Sequence, residues 1–323
     1  MTSATVVICT HDRARVLAQA VRGALVEARR CDADVLVVDN ASTDETPALL
    51  AALARTEPRL RVVHEPVLGL SIARNRGLAE ARGAVAVYLD DDAEPHEGWL
   101  AALLAPYDDP NVAAVGGRIL LRFAVPPPAW LTRELHPAFS GFDLGDAPRR
   151  VRDQPGDEFP YGANISFRVA RARALGGFSA WIGPRGRVSF LHDETDLCLR
   201  LDQAGETIRY APDAVVDHWV PAERMTPVWL ITRHRHRGES GAIFALRNRG
   251  VHRALGHFRW HHAAALRARP YRPIRPFDGE RLIAECRRQE AIGYLRGLGR
   301  GLLHLRALRD DVVTPSAALA VGR

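Results

Sequence analysis

Short apolar runs rich in β-branched residues alternate with helical patterns through the first third of the chain. Such runs lie at residues 5–9, 34–38, 61–64, 84–89 and 112–115, and each has the length of a buried strand. The residues between the first four runs carry apolar side chains at helical spacing. Strands and helices that alternate in this way predict a mostly parallel sheet with helices on both faces, so we expect an α/β fold.

Two signals predict where the first helices begin. Asp12 lies just before a helical pattern and is expected to cap it. Residues 42–45 read Ser-Thr-Asp-Glu, which is the spacing of a capping box, and a second helix is expected to follow them. Both signals predict that the loops after the first two strands lead directly into helices.

The pattern changes after residue 118. Residues 118–160 include three consecutive prolines and a long polar stretch, which predict a loop or insertion. Strand and helix signals then return, and the chain beyond Pro227 is helical in pattern and rich in arginine. We therefore predict one main domain over residues 1–245 and an Arg-rich helical C-terminal extension over residues 246–323.

Charge is distributed unevenly along the chain. The net charge is +6, and residues 233–300 contain sixteen Arg against five acidic residues. A basic face attracts phosphates, anionic lipid surfaces or nucleic acid, although a solvated outer face accounts for the same composition equally well. No apolar run approaches the roughly 20 residues of a membrane helix, and the N-terminal residues lack the pattern of a secretory signal. We expect a cytoplasmic protein without a nucleic-acid partner, and its C-terminal region is the candidate for a peripheral membrane or homodimer contact.

Carboxylates follow the predicted strands at the points where the strands end. Asp39 and Asn40 follow the second strand, and Asp90, Asp91 and Asp92 follow the fourth. In open α/β sheets, ligands bind outside the carboxyl ends of the strands. Three adjacent acids repel one another, and Mg²⁺ or Mn²⁺ bound together with substrate phosphates would relieve that repulsion. An acidic surface turn that caps the next helix is the alternative interpretation of three acids taken alone.

A second acidic group opens the helix predicted over residues 193–204. Asp193, Glu194 and Asp196 lie in its first turn, where the helix dipole favours acids, so the group alone does not require a catalytic role. His218 follows a strand predicted at residues 207–216. A single histidine is more often packed or solvated than a ligand, so these residues gain weight only in combination with the acids above.

Together these segments resemble the family 2 glycosyltransferases, which share the GT-A fold. The resemblance covers about residues 4–245, and the order and spacing of its motifs are far more specific than any motif alone. It implies a Rossmann-like, mostly parallel sheet and a nucleotide-sugar site. The matching segments are residues 6–13, 37–44, 69–77, 89–95, 98–100, 162–167, 176–178 and 193–200, together with His218.

The resemblance implies which residues bind the donor. Thr10 corresponds to the loop after the first strand, which holds the nucleoside base together with Asp39 and Asn40. Arg74 corresponds to a position near the base and the diphosphate. The ribose is expected to contact Asp90 and Asp91, the first two acids after the fourth strand.

The resemblance also implies a metal site, with Mn²⁺ or Mg²⁺ as the cofactor. Asp92 matches the metal-binding acid of the Asp-x-Asp motif, and His218 matches a second ligand found in many members. Such an ion bridges the two phosphates of the donor and stabilises the charge on the departing diphosphate.

A catalytic base is implied at the start of the helix predicted at residue 193. The acceptor hydroxyl must lose a proton when it attacks the anomeric carbon, and a carboxylate within hydrogen-bond reach can take that proton. Family members usually carry Glu-Asp here with the second acid as the base, whereas this chain reads Asp193-Glu194. Position for position the base is Glu194, and Asp193 is the alternative. One base and a single displacement imply inversion of the anomeric configuration.

The implied function is that of a metal-dependent, inverting, non-processive glycosyltransferase of the hexosyltransferase type. A nucleoside-diphosphate sugar is the expected donor, with UDP favoured by its frequency in the family, and the acceptor is a glycan, a lipid carrier or a small metabolite. A dinucleotide-binding enzyme is excluded because residues 10–13 read Thr-His-Asp-Arg where a Gly-x-Gly-x-x-Gly turn is needed. The alternative is a non-catalytic protein that binds nucleotide sugars or nucleic acid through a basic surface.

Overall fold

A computed structural model describes residues 2–154, 158–180, 192–267 and 279–304. Parts of the predicted loop and of the predicted C-terminal extension, at 155–157, 268–278 and 305–323, therefore lie outside the described residues. The chain forms two compact units. The first comprises Met1–Arg122, Phe139–Phe178 and Leu197–Trp219, and the second comprises Phe123–Ala138, Ser179–Asp196 and Val220–Arg323.

The first unit is built around a nine-stranded sheet with the strand order β3-β2-β1-β4-β8-β6-β9-β5, and β7 pairs with β9. The strands are β1 (Ala4–Thr10), β2 (Asp34–Asp39), β3 (Leu60–His64), β4 (Val85–Leu89), β5 (Ala93–Pro95), β6 (Val112–Phe123), β7 (Arg149–Val151), β8 (Asn164–Arg168) and β9 (Thr207–Val220). All five strands predicted in the first third of the chain are therefore present.

The centre of the sheet is parallel. β1 pairs in parallel with β2 and β4, and β2 pairs in parallel with β3. The pairs of β4 with β8, β6 with β8, β5 with β9 and β7 with β9 are antiparallel. Val6, Val7 and Ile8 are consecutive and all fully buried, so both faces of β1 are covered. This explains why the central strands read as continuous apolar runs, and the predicted α/β fold is confirmed.

Eight α-helices are described. They are α1 (Ala14–Arg30), α2 (Thr46–Thr56), α3 (Leu70–Glu80), α4 (Trp99–Leu104), α5 (Val169–Ala174), α6 (Asp193–Gln203), α7 (Pro227–His257) and α8 (Gly279–Leu303). Among the described residues, no helix combines the length and the apolar character needed to cross a bilayer.

The segment predicted as a loop, residues 118–160, contains more regular structure than expected. β6 continues to Phe123, a 3₁₀ turn spans Arg133–Phe139, and β7 pairs with β9 through Arg150 and Arg209. The second half of β6 was missed because its burial alternates: Ile119 is buried while Leu120 is exposed. A half-exposed strand lacks the continuous apolar run that marks the other strands.

The C-terminal part of the second unit is helical, as predicted. α7 and α8 pack so closely that a Cβ added at Gly238 would lie 1.9 Å from the carbonyl oxygen of Glu290. Gly250 has φ +78°, which L-residues rarely adopt, and interrupts α7. The boundary predicted at residue 245 therefore falls inside α7, a few residues before this interruption. A core of small and aromatic residues joins the helices: Ala242, Ala245, Leu246, Ala254, Tyr294 and Leu298.

Candidate functional site

The carboxyl ends of β2, β1 and β4 lie side by side, because these strands are neighbours in the parallel part of the sheet. Thr10 ends β1, Asp39 ends β2, and the three acids Asp90, Asp91 and Asp92 follow β4. The candidate donor-binding residues predicted on these three loops therefore come together at one edge of the sheet. This edge is where open α/β sheets bind their ligands.

Asn40 uses its side chain to fix the loop that follows β3. Its Oδ1 accepts a hydrogen bond from the backbone N–H of Gly69 at 2.8 Å, and its Nδ2 donates to the carbonyl oxygen of Val67 at 2.7 Å. Asn40 is also buried. Both ends of the amide are thus hydrogen-bonded within the protein, and they tie the end of β2 to the loop after β3.

Asp39 is buried, and both of its carboxylate oxygens have partners within the protein. Its Oδ1 accepts from the backbone N–H of Ser42 at 3.2 Å, and its Oδ2 lies 3.3 Å from Nδ1 of His64. His64 is the last residue of β3 and reaches Asp39 because β2 and β3 pair in register at these residues. Sequence reasoning missed His64, and its position at a strand end was the available signal.

Arg13 is the second residue that sequence reasoning missed. Its Nε lies 3.3 Å from Oδ1 of Asp91, and its terminal nitrogen forms an ion pair with Asp92. Thr10 donates its hydroxyl hydrogen to Oδ2 of Asp91 at 2.7 Å. The positive charge of Arg13 thus offsets part of the repulsion among the acids. From the sequence, we had expected only a bound cation to relieve this repulsion. An arginine in the loop beside three acids was the overlooked signal.

Burial and charge shift the ionisation of this group. Burial raises the pKa of Asp91 to about 6, and the neighbouring Asp92 adds repulsion, while Arg13 acts in the opposite direction. Burial lowers the pKa of Arg13, but Asp91 and Asp92 more than offset this effect and hold it above its ordinary value. The carboxylates of Asp91 and Asp92 therefore lie close together with little exposure to solvent, and Arg13 offsets part of their charge.

Asp90, Asp92 and His218 form a candidate metal centre. One ligand atom from each lies within 4.8 Å of the others. His218 is brought to the acids by the antiparallel pairing of β5 with β9, in which it faces Ala93, and by a backbone hydrogen bond from Trp219 to Asp92. Two carboxylates and an imidazole at this spacing form a possible ligand set for a divalent cation.

The surroundings of His218 fit a role as a ligand. Its Nε2 lies 3.1 Å from Oδ1 of Asp92, and its Nδ1 is buried with no hydrogen-bond partner among the residues that are described. An orphaned buried nitrogen is uncommon in native proteins and calls for an explanation. A cation at Nε2 would account for the approach of that nitrogen to Asp92, but it leaves the orphaned Nδ1 unexplained.

Arg74 reaches the same group from α3. Its guanidinium lies 3.6 Å from Oδ1 of Asp90 and 5.7 Å from the ring centroid of Phe178. Gly162 makes room for it, because a Cβ at that position would come within 2.0 Å of the Arg74 terminal nitrogen. This contact explains the glycine of the 162–167 motif and places a fixed positive charge beside the acids.

The predicted base residues lie at the start of α6. Asp193 is buried, whereas Glu194 is partly exposed. Asp196, in the same first turn, accepts hydrogen bonds at its Oδ1 from Nε of Arg247 at 3.0 Å and from Nδ2 of Asn248 at 2.7 Å. Within the second unit, Asp196 therefore has a structural role, because its buried ion pair joins the first turn of α6 to α7.

Comparisons with known proteins bear on this site. The family model described as Glycosyl transferase family 2 matches residues 5–172. The pre-mycofactocin glycosyltransferase of Mycobacterium tuberculosis (strain CDC 1551 / Oshkosh) is 32% identical over 185 residues, which are 57% of this chain and 37% of that protein. The succinoglycan biosynthesis protein ExoM of Rhizobium meliloti (strain 1021) is 28% identical over 253 residues, which are 76% of this chain and 77% of that protein. The chain thus spans well under half the length of the first of these relatives.

The fold is also found in a solved structure, that of the mannosyltransferase PcManGT from Pyrobaculum calidifontis in complex with GDP-Man and Mn²⁺. The TM-score is 0.54 at 24% identity, and the alignment covers 99% of this chain and 81% of the other. This similarity confirms the predicted GT-A fold. Because the family model covers residues 5–172, which are just over half of the chain and include β1 to β8 and the acids after β4, the chain belongs to glycosyl transferase family 2.

Proposed function

We propose that this chain is a metal-dependent glycosyltransferase that transfers a sugar from a nucleoside-diphosphate donor to an acceptor hydroxyl. The observation that carries the proposal is the convergence of Asp90, Asp92 and His218 at the carboxyl edge of the parallel strands. Asp92 and His218 would hold Mn²⁺ or Mg²⁺, with Asp90 as a third ligand. A bound ion would stabilise the charge on the departing diphosphate, an effect on the order of several kcal/mol.

The residues around the ion would position the donor. Arg74, which lies beside Asp90, would contact the diphosphate, and Asp39 and Thr10 would lie near the nucleoside. Asp91 accepts from both Thr10 and Arg13, so its part in the proposal is to hold this loop as well as to approach the ribose. Fixed charges that need no rearrangement at the moment of reaction stabilise a transition state most effectively.

Glu194 is the proposed general base, because it is partly exposed while Asp193 is buried. The acceptor oxygen forms a bond to the anomeric carbon as the bond from that carbon to the diphosphate oxygen breaks. The acceptor proton passes to the Glu194 carboxylate, and the diphosphate leaves with the electron pair. Attack from the face opposite the leaving group inverts the anomeric configuration.

UDP is the proposed nucleotide, from the resemblance to the family, although the Pyrobaculum structure holds GDP-Man. The two relatives are named for different products, so the proposal extends to the donor class and not to one acceptor. The transferase proposal is favoured over a non-catalytic binding protein, because the whole group of acids and His218 is retained.

Calorimetric titration of UDP, GDP and dTDP, with and without Mn²⁺, tests this proposal. We expect one of the three to bind tightly only when Mn²⁺ is present, and Asp92→Asn to remove that dependence. Glu97→Gln is the matched control, because it removes the same charge from an exposed position in the first unit. Equal binding with and without the metal would contradict the proposed site.

A further inference from the structure

The segment 251–267 has one face that is fixed to the protein. It follows the interruption at Gly250 and contains the end of α7, a π-helical turn at Phe258–His262 and a 3₁₀ turn at Ala263–Arg267. Tyr294 of α8 donates its hydroxyl hydrogen to the carbonyl oxygen of Ala254 at 3.1 Å, and its ring stacks on that of Phe258. These contacts fix which side chains of the segment point away from the helices.

The exposed side chains of the segment include arginines and large apolar residues. Trp260 is 83% exposed, Leu255 is 49% exposed and Leu266 is 37% exposed. The arginines of the segment are exposed as well, and they form no ion pair within the part of the chain that is described. We name this surface the Trp260 face, and it consists of Arg253, Leu255, Arg259, Trp260, Leu266 and Arg267.

The composition of the Trp260 face is typical of surfaces that lie in a membrane interface. Tryptophan prefers the headgroup level of a bilayer, where its ring is buried and its N–H stays hydrated. Arginine binds lipid phosphates through two parallel hydrogen bonds. Residues 251–267 contain no acidic residue, so nothing in the segment opposes an anionic surface. The charge and the apolar side chains therefore favour the same partner.

We propose that the Trp260 face docks onto the surface of an anionic phospholipid bilayer. Trp260, Leu255 and Leu266 enter the headgroup region, and the three arginines bind phosphates around them. A second copy of this chain is a poorer partner, because a two-fold contact places the same arginines against one another. Nucleic acid would pair with the arginines but would leave the leucines without an apolar partner. The proposal is independent of the proposed transfer reaction.

Vesicle flotation with the whole chain tests how much the arginines of the Trp260 face contribute to membrane binding. We expect binding to vesicles of equal parts phosphatidylglycerol and phosphatidylcholine at low salt, and none to phosphatidylcholine alone. The triple variant Arg253→Gln, Arg259→Gln, Arg267→Gln should bind about a hundredfold more weakly, from about fivefold for each arginine near the surface. The control triple variant Arg22→Gln, Arg55→Gln, Arg82→Gln removes the same charge from exposed positions of the first unit and should keep most of the binding.

The apolar contribution is tested at Trp260. Trp260→Ser should weaken vesicle binding about tenfold, the order of magnitude expected for partial burial of one aromatic side chain. Val228→Ser, at a position that is 75% exposed near the start of α7, should have no effect. Brominated lipids should quench tryptophan fluorescence in the unmodified protein and not in Trp260→Phe. Donor hydrolysis in solution should be unchanged in all these variants, so a failure here is distinguishable from a failure of the proposed function.

Several results would overturn the docking proposal. One is the absence of binding to anionic vesicles at low salt. Another is an equal loss of binding in the two triple variants, since it would reflect net charge and not this face. Sedimentation that shows a dimer dissociated by Trp260→Ser would assign the face to self-association. Binding of a single-stranded oligonucleotide through the same arginines, without vesicle binding, would assign it to nucleic acid.

Discussion

The buried ion pair between Asp196 and Arg247 gives a prediction whose size follows from the structure. The Asp196 side chain is 0% exposed and that of Arg247 is 2% exposed, and Nε lies 3.0 Å from the carboxylate Oδ1. Arg247→Met removes the cation, keeps an apolar side chain of similar length, and leaves a buried carboxylate. Removing one partner of a buried pair costs about 3–5 kcal/mol. We expect a loss near the lower limit, because Asn248 still donates to Asp196.

Urea unfolding followed by circular dichroism measures this loss. Arg253→Gln is the matched control, because it removes an exposed arginine from the same helix and should change the free energy of unfolding by less than about 0.5 kcal/mol. The double variant Asp196→Leu, Arg247→Met should regain most of the stability, since an apolar pair can replace a buried ion pair. A loss below about 1 kcal/mol in Arg247→Met, or a double variant as unstable as the single one, would refute the reasoning.

Three further predictions concern the proposed site and the second unit. Glu194→Gln should lower turnover at least about a hundredfold while donor affinity stays nearly unchanged, and a similar effect from Asp193→Asn alone would move the base to Asp193. Nuclear magnetic resonance of the first-formed product should show an inverted anomeric centre, and retention would exclude the single displacement. Burial, together with Arg237 and Arg233, lowers the pKa of His192 to about 4. Between about pH 6.5 and 4 the unfolded chain therefore binds a proton at His192 that the folded chain does not bind, so the free energy of unfolding should fall as the pH drops through this range. The fall should be weaker in His192→Gln. An equal fall in the variant and the unmodified chain would show that His192 is not responsible.

The parallel part of the sheet was predictable from the sequence because its strands are buried on both faces. Residues 5–9 were predicted as a strand, and β1 spans Ala4–Thr10. The helix predicted to begin at Asp193 also matches α6. In each case a local pattern, either a continuous apolar run or a periodic one, is enough to define the element. Pairings between distant segments have no such local pattern.

The two predicted helix caps were wrong because the residues involved make contacts between distant segments, which have no local sequence pattern. Asp12 does not cap α1; it has φ +51° and accepts hydrogen bonds from the backbone N–H groups of Thr43 and Asp44 at 2.6 Å and 3.2 Å. Residues 42–45 do not form a capping box, because α2 begins at Thr46 and Glu45, the residue before it, makes no capping hydrogen bond with its side chain. Both segments serve the contact between the loops after β1 and β2. Local propensity could not reveal a contact between residues about thirty positions apart.

The residues of the site also divide into those with a local sequence signal and those that depend on contacts between distant segments. The acids after β4 were recognised as a group because they are adjacent in sequence, and the resemblance to the family added His218, which lies far along the chain. Arg13 was missed because its pairing with Asp91 and Asp92 depends on the register between β1 and β4. The roles predicted for these residues in binding donor and metal stay predictions.

Release of nucleoside diphosphate from a sugar donor by chelator-treated protein, before and after Mn²⁺ is added back, tests the proposed metal-dependent transfer most directly. UDP-, GDP- and dTDP-sugars are supplied in parallel, and Asp92→Asn and Glu97→Gln are measured beside the unmodified chain. We predict release from one donor class only after Mn²⁺ is restored, with Asp92→Asn inactive and Glu97→Gln unaffected. Full release in the presence of the chelator, or equal rates in the two variants, would contradict a metal centre at Asp90, Asp92 and His218.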